Sequence, residues 1–376
     1  MLLDDPHKLI RDTAQRFARE VLAPGAAGRD RTGEFPRAEI RQLGELGFMG
    51  ITIPERYDGA GLDFLALAVA LEEIAAGEAA VATIMSGHNS VGCMPVLQYG
   101  TEEQKQLFLK PMARGELLTA FCLTEPEGGS DAGNLRTSAR RDGDNYVLYG
   151  TKQFITSGST ARLAIVFART GPEAGPRGLT AFLVPTDLPG YRVVRKEEKM
   201  GQVASDTCQI AFDDVRVPIS LRLGAEGDGY RIALSNLEGG RIGIAAQCIG
   251  VAVAALGEAI RYARERKTFG KPIIEHQAVA FLLAQMATLL ESARQLVYHA
   301  ASLRDAGIAC IKEACMAKLH ASEAAERICS DAIQTLGGYG YLKDFPLERY
   351  YRDIRVAKIY EGTNDIQCMV IARHLD

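Results

Sequence analysis

One glutamate stands between an aromatic ring and a glycine, in the run Lys358-Ile359-Tyr360-Glu361-Gly362-Thr363-Asn364-Asp365. These residue types suit one chemistry. A carboxylate covered by an apolar ligand has its pKa raised toward neutrality, as a general base needs to be to take a weakly acidic C–H proton. Gly362 lets another molecule approach the backbone closely. Thr363 is a good N-cap, and Asp365 suits the first turn of the helix that follows. A solvated turn before a helix has the same composition, so the rest of the chain must decide.

Four other segments carry residues of chemical interest. Thr124-Glu125-Pro126-Glu127-Gly128-Gly129-Ser130-Asp131 follows the strand-like run from Leu118 to Leu123. Its backbone N–H groups and hydroxyls suit phosphate or carbonyl oxygens, although a plain polar turn reads the same way. Phe154-Ile155-Thr156 sets an aromatic face and a hydroxyl on one side of a strand, which can flank a planar ring or belong to an ordinary sheet. Arg264 to Pro272 is a basic turn between two long helices, either a solvated cap or an anion clamp. Gln334-Thr335-Leu336-Gly337-Gly338-Tyr339 ends another helix, as a glycine cap or as a place of close backbone approach. No βαβ unit surrounds these glycines, so a nicotinamide-type fold is not indicated.

The elements that must hold these residues follow an α, β, α plan. Helical periodicity runs from residue 7 to about 118, through Leu9, Phe17, Ile40, Leu43 and Leu65 to Ile74. Short β-rich runs separated by Gly, Pro and Asp turns occupy about 119–220, as in a small antiparallel sheet or barrel. Long helical segments at about 231–265, 275–306 and 309–336 then read as a four-helix bundle. The expected parts are 1–118, 119–220 and 221–376. The chain has 376 residues, 47% hydrophobic and 24% charged, with a net charge of −4. With a pI near 6.0, nothing suggests a nucleic-acid partner. No apolar run reads as long and uncharged enough to enter a membrane. No signal-peptide pattern is present, and the eight cysteines lack zinc spacing and read as buried free thiols, so a cytoplasmic setting is expected.

Taken jointly and in this order, the motifs resemble the acyl-CoA dehydrogenase family over essentially the whole chain. They are Leu123-Thr124-Glu125-Pro126 with Gly129-Ser130-Asp131, Phe154-Ile155-Thr156, Glu265 to Gly270, Gly337-Gly338-Tyr339-Gly340 and Tyr360 to Thr363. The resemblance implies FAD between the β-domain and the bundle of a homotetramer. Phe121, Leu123, Thr124, Gly129 and Ser130 would contact the flavin and its phosphates. Phe154, Ile155 and Thr156 would flank the isoalloxazine ring, with the Thr156 hydroxyl near N5. The family often has tryptophan at position 154, and this chain has none. Arg266, Phe269, Gln277, Gln334, Gly337 and Gly338 would hold the ADP half across a subunit interface, with Thr363 and Asp365 nearby.

Substrate contacts implied by the resemblance are Ser130, Leu237, Glu238, Arg241, Tyr360, Glu361 and Gly362. Glu361 would take the α-proton of an acyl-CoA and its backbone N–H would polarise the thioester carbonyl, giving a trans-2-enoyl-CoA and electrons for an electron-transferring flavoprotein. A branch of the family carries its base just before the residue matching Arg241. That position is Gly240 here, so Glu361 has no rival. A short straight or branched acyl chain is expected, isobutyryl- or 2-methylbutyryl-CoA included. No arginine between Met85 and Leu97 awaits a second carboxylate, and His88 reads as structural. An oxygen-using oxidase, a monooxygenase-like relative and a non-catalytic scaffold are the rival readings.

Overall fold

Helices form where the chain is apolar at helical spacing and stop where turn residues intervene. The computed structural model describes residues 3–171 and 175–375. The N-terminal part holds α1 (Asp5–Phe17), α2 (Ala23–Thr32), α3 (Arg37–Glu45), α4 (Phe64–Gly77), α5 (Ala79–Gly87), α6 (Met94–Tyr99) and the short α7 (Glu102–Gln104) and α8 (Lys110–Ala113). Asp63 caps α4, its carboxylate accepting from Ala66 N at 2.8 Å. Apolar nearly all round, α4 is buried nearly all round. Arg294 Nε, 3.0 Å from Glu72 Oε1, ties α4 to the C-terminal part. A π-helical stretch, His88–Cys93, joins α5 to α6.

The middle part is one sheet of eight strands. They are β1 (Thr119–Cys122), β2 (Ser138–Asp142), β3 (Asn145–Thr156), β4 (Leu163–Arg169), β5 (Leu179–Pro185), β6 (Tyr191–Lys196), β7 (Thr207–Pro218) and β8 (Arg222–Leu223). The order is β6-β7-β3-β2-β4-β5-β8, and β1 pairs in parallel with β4. β2 also meets β4 in parallel, at Ser138 opposite Arg169, so the expected antiparallel sheet is mixed around β4; the C-terminal end of β1 launches the Thr124–Asp131 loop. β4 and β5 have only residues 169 and 185 less than fully buried, as their unbroken apolar runs require.

The C-terminal part is built on α9 (Gly229–Glu265), α10 (Gln277–Asp305) and α11 (Ile311–Leu336), with α12 (Leu347–Ile354) and α13 (Asn364–Ala372) packed on α11. At 37 residues α9 is about 55 Å long. It contains an 18-residue window apolar enough to cross a membrane, contrary to the sequence expectation, but 78% of that window is buried inside the protein. Its glycines bring neighbours close: a Cβ at Gly250 would stand 2.0 Å from the Glu72 carbonyl of α4. The basic turn between α9 and α10 is a small hairpin, with Lys271 opposite Thr268 and Pro272 opposite Lys267. Seven cysteines are buried and unpaired, and Cys368 is exposed, which corrects the expectation for that one residue.

Candidate active site

The base loop, residues 359–363, crosses between α9 and α11. Glu361 adopts a left-handed backbone with φ 54°. That costs a non-glycine residue energy and persists only where surroundings over-determine it. Downstream clamps are visible. Lys318, fully buried on α11, donates from Nζ to the Gly362 carbonyl at 2.8 Å and to Asn364 Oδ1 at 3.0 Å. Gln367 Nε2 reaches the Gly362 carbonyl at 2.9 Å and the Glu361 carbonyl at 3.3 Å. Thr363 caps α13 as expected, its Oγ1 accepting from Ile366 N at 3.3 Å.

The Glu361 side chain points at α9. Its Oε2 is buried without a hydrogen-bond partner, and a Cβ on Gly240 would stand 2.7 Å from it. Only glycine at 240 leaves the carboxylate its place. Burial pushes the Glu361 pKa up to about 7, against the opposing pull of the Arg241 and Lys318 charges. Burial likewise lowers Lys318 to about 8. Arg241 is buried with Nε unpaired, so this corner holds two polar atoms with no protein partner. An incoming polar ligand would satisfy them. Leu237 and Glu238 lie one turn earlier on α9. The Glu238 carboxylate is paired with Arg304 at 2.6 Å.

A second constellation lies on the sheet. Gln153 N donates to the Thr124 carbonyl at 2.8 Å, which sets the Thr124–Ser130 loop beside the end of β3. A register shift between Lys152 and Ile155 and a φ of 59° turn Phe154 outward, where 64% of it is exposed. Thr156 is half-buried on that side. Ile155 and Leu123 are buried in the core, so only their backbones can meet a ligand. Phe121 is half-buried, edge-on to Phe167 with ring centres 4.9 Å apart. Gly129 and Ser130 are exposed at the loop tip. The loop is pinned from beneath by residues sequence reasoning missed. Glu125 Oε1 accepts from the fully buried Lys152 Nζ at 2.8 Å and from Thr137 N at 2.9 Å, while Oε2 accepts from Arg136 N at 2.6 Å.

A third group lines a groove of about 580 Å³ where Arg266, Gln334, Gly337 and Gly338 meet Tyr262, Thr268 and Tyr339. Gly337 has φ 60° and, like Gly338, open space where a Cβ would be. Phe269 and Gln277 do not line this groove. Phe269 stands at the hairpin tip, 96% exposed with φ 51°, and Gln277 opens α10 on the surface. Asp365 is exposed in the first turn of α13. Gln334 lies 16 residues beyond Lys318 on α11, so the groove is about 24 Å along that helix from the base loop. His88 is structural: buried, with Nε2 2.9 Å from the Met112 carbonyl and its pKa lowered to about 4 by burial. Among the described residues no group of three or more His, Cys, Asp and Glu could hold a metal ion.

Strain marks the same places. Among the described residues seven non-glycines have positive φ, and Phe154, Ser157, Phe269 and Glu361 all fall in or beside the segments singled out by sequence. The exposed Phe154 ring, the loop tip and the open glycine groove fit a large planar cofactor with a diphosphate.

Profiles of the acyl-CoA dehydrogenase N-terminal, middle and C-terminal domains match residues 4–116, 120–215 and 227–375. An acyl-CoA dehydrogenase of Bacillus subtilis is 49% identical over 98% of this chain and 96% of its own. The mitochondrial short-chain specific acyl-CoA dehydrogenase of Bos taurus is 48% identical over 99% and 90%. Butyryl-CoA dehydrogenase from Megasphaera elsdenii superposes with a TM-score of 0.98 at 41% identity, covering 100% and 99%. A chain from the structural study of the electron transferring flavoprotein of Acidaminococcus fermentans does so at 0.98 and 43%, with the same coverage. The chain belongs to the acyl-CoA dehydrogenase family, and its cofactor is FAD.

Proposed function

We propose that this protein oxidises a short straight- or branched-chain acyl-CoA to the trans-2-enoyl-CoA, with Glu361 as the base. The observation that carries this reading is the Glu361 carboxylate, buried, unpartnered at Oε2 and held near neutrality over a glycine. Such a group is ionised in part at pH 7 and strong enough to take a carbon-bound proton. Two other carboxylates in the segments singled out by sequence are occupied, Glu238 by Arg304 and Glu125 by Lys152. The names of the short-chain and butyryl-CoA relatives support the chain length.

In the mechanism, the thioester carbonyl accepts a hydrogen bond from the Glu361 backbone N–H, which stabilises negative charge as the α-proton leaves. Arg241 and Lys318 temper the carboxylate's basicity without pairing with it. When bound, FAD would supply a two-electron acceptor for the β-hydride. Thr124, Gly129, Ser130, Phe154 and Thr156 would hold its flavin half, and Arg266, Gln334, Gly337 and Gly338 the ADP half. Ser130, Leu237, Arg241 and Tyr360 would line the acyl-CoA path, with Thr363 and Asp365 beside the cofactor. Phe269 and Gln277 of a second copy would complete the site, in a homotetramer, as the family resemblance implies. Electron-transferring flavoprotein is the proposed acceptor, in keeping with the Acidaminococcus neighbour.

The test is anaerobic titration of the purified protein with acetyl- to octanoyl-CoA, isobutyryl-CoA and isovaleryl-CoA while flavin absorption is followed. Bleaching by one or two members, abolished in Glu361→Gln, is the expected result. A bound flavin that no member bleaches overturns the reading. Rapid oxygen uptake during turnover would replace dehydrogenase with oxidase.

A further inference from the structure

Three buried polar side chains behind the base loop, Gln247, Thr83 and Gln202, have no part in the chemistry above. They form a hydrogen-bond chain that runs in one direction. The Tyr360 hydroxyl donates to Gln247 Oε1 at 3.2 Å. Gln247 Nε2 donates to Thr83 Oγ1 at 2.8 Å. The Thr83 hydroxyl donates to Gln202 Oε1 at 2.6 Å, and Gln202 Nε2 donates to the Asp353 carbonyl at 2.9 Å. Thr83 Oγ1 also lies 3.1 Å from Gln247 Oε1, but its single proton serves the shorter contact. Gln247 Nε2 makes a second bond to the Ala79 carbonyl at 3.2 Å, and the Asp353 carboxylate accepts from Gln202 N. Thr83, Gln202, Gln247 and Asp353 are each more than nine-tenths buried.

The chain joins five segments: the base loop, α9, α5, the loop before β7, and α12. All three parts of the protein contribute. Its two ends carry the same signature. Gln202 has φ 50° and Glu361, next to Tyr360, has φ 54°. Strained backbones of this kind survive only where the surroundings hold them. Lys318 and Gln367 clamp the base loop from its downstream side. The Tyr360 hydroxyl gives the upstream side its side-chain anchor. Stability alone does not require such a chain, because replacing both partners of a buried hydrogen bond by apolar groups is nearly neutral.

We propose that Gln247, Thr83 and Gln202 are positioning residues for the base, fixing Tyr360 and through it the left-handed Glu361 backbone over Gly240. This rests on Glu361 being the base. Gln202 holds Thr83 and Thr83 holds Gln247, so loss of the Thr83 hydroxyl leaves Gln247 on the Ala79 carbonyl alone and loosens its hold on the Tyr360 hydroxyl. The Glu361 carboxylate then leaves its place over α9. The other residues of the acyl-CoA path, Ser130, Leu237 and Arg241, lie outside the loop, so substrate binding changes far less than the rate.

The test compares Thr83→Val, nearly isosteric but without the hydroxyl, with Thr83→Ser, which keeps it. The readout is the rate of flavin bleaching in anaerobic stopped flow across substrate concentration. In Thr83→Val the limiting rate should fall about 10- to 100-fold, as misplacement of a reacting group by about 1 Å predicts. The half-saturating concentration and flavin content should hold within about twofold, and Thr83→Ser should recover most of the rate. A wild-type limiting rate in Thr83→Val overturns the proposal, and so does a loss seen only as weaker substrate or flavin binding. Should Thr83→Val fail to fold, Gln202→Met cuts the same chain at its next link, with the same two outcomes. Glu361→Gln run alongside separates the failures: if it still bleaches, the base assignment falls, whatever Thr83→Val does.

Discussion

Gly240 and Glu361 act as a pair across the space between α9 and the base loop. Gly240→Ala puts a methyl 2.7 Å from Oε2, so the carboxylate must move. We expect the limiting rate to drop at least about tenfold with little change in melting temperature, because the residue that yields is a side-chain tip. The pH profile follows from the raised pKa. In the free enzyme kcat/KM should climb with pH up to about 7 and level off above it, since only the ionised carboxylate is a base. Stability should run the other way. A carboxyl with folded pKa near 7 and unfolded pKa near 4.5 stabilises the fold fully below 4.5 and loses that contribution as pH rises to about 7. Glu361→Gln cannot ionise, so it should be inactive yet more stable than wild type at pH 8, by at most about 3 kcal/mol, with the gap closing near pH 4.5. Melting curves at the two pH values check this.

At the scale of elements, one buried ion pair aligns the loop after β1 with the end of β3. Removing one partner of such a pair costs about 3–5 kcal/mol. Lys152→Met should therefore yield protein that unfolds at lower denaturant and retains less flavin after gel filtration. The elements themselves were legible in the sequence. The three long C-terminal helices fall at 229–265, 277–305 and 311–336, within two residues of their expected ends. β2 and β8 carry little strand signal in the sequence, one rich in charge and one only two residues long, because alternation is what strand reading needs. The candidate site was legible as segments and not as contacts. Which residues hold the base loop depends on partners far away in sequence: Lys318 is 44 residues from Gly362, and Gln247 is 113 from Tyr360. A local signal did exist for Lys318, a lone lysine on the apolar stripe of Ala314, Ala317, Ala321 and Ala325. Leu9 shows the reverse error, falling on the helical period yet 67% exposed.

Over the whole molecule, the base loop and the glycine groove lie too far apart on α11 to belong to one compact pocket of a single chain. Diluting the protein below the dissociation constant of the proposed oligomer should release flavin in step with loss of the oligomer. Sedimentation velocity recorded at both protein and flavin wavelengths would show it, and flavin that stays with a monomer would contradict the shared site. The hairpin between α9 and α10 bears on the protein's life before assembly. Its tip holds Phe269, almost wholly in solvent, on a strained backbone. In the proposed assembly a newly made subunit carries this exposed aromatic until another copy covers it. Expression in riboflavin-starved cells should shift the yield from soluble protein to aggregate, and Phe269→Ser should lessen that shift even as it weakens flavin retention.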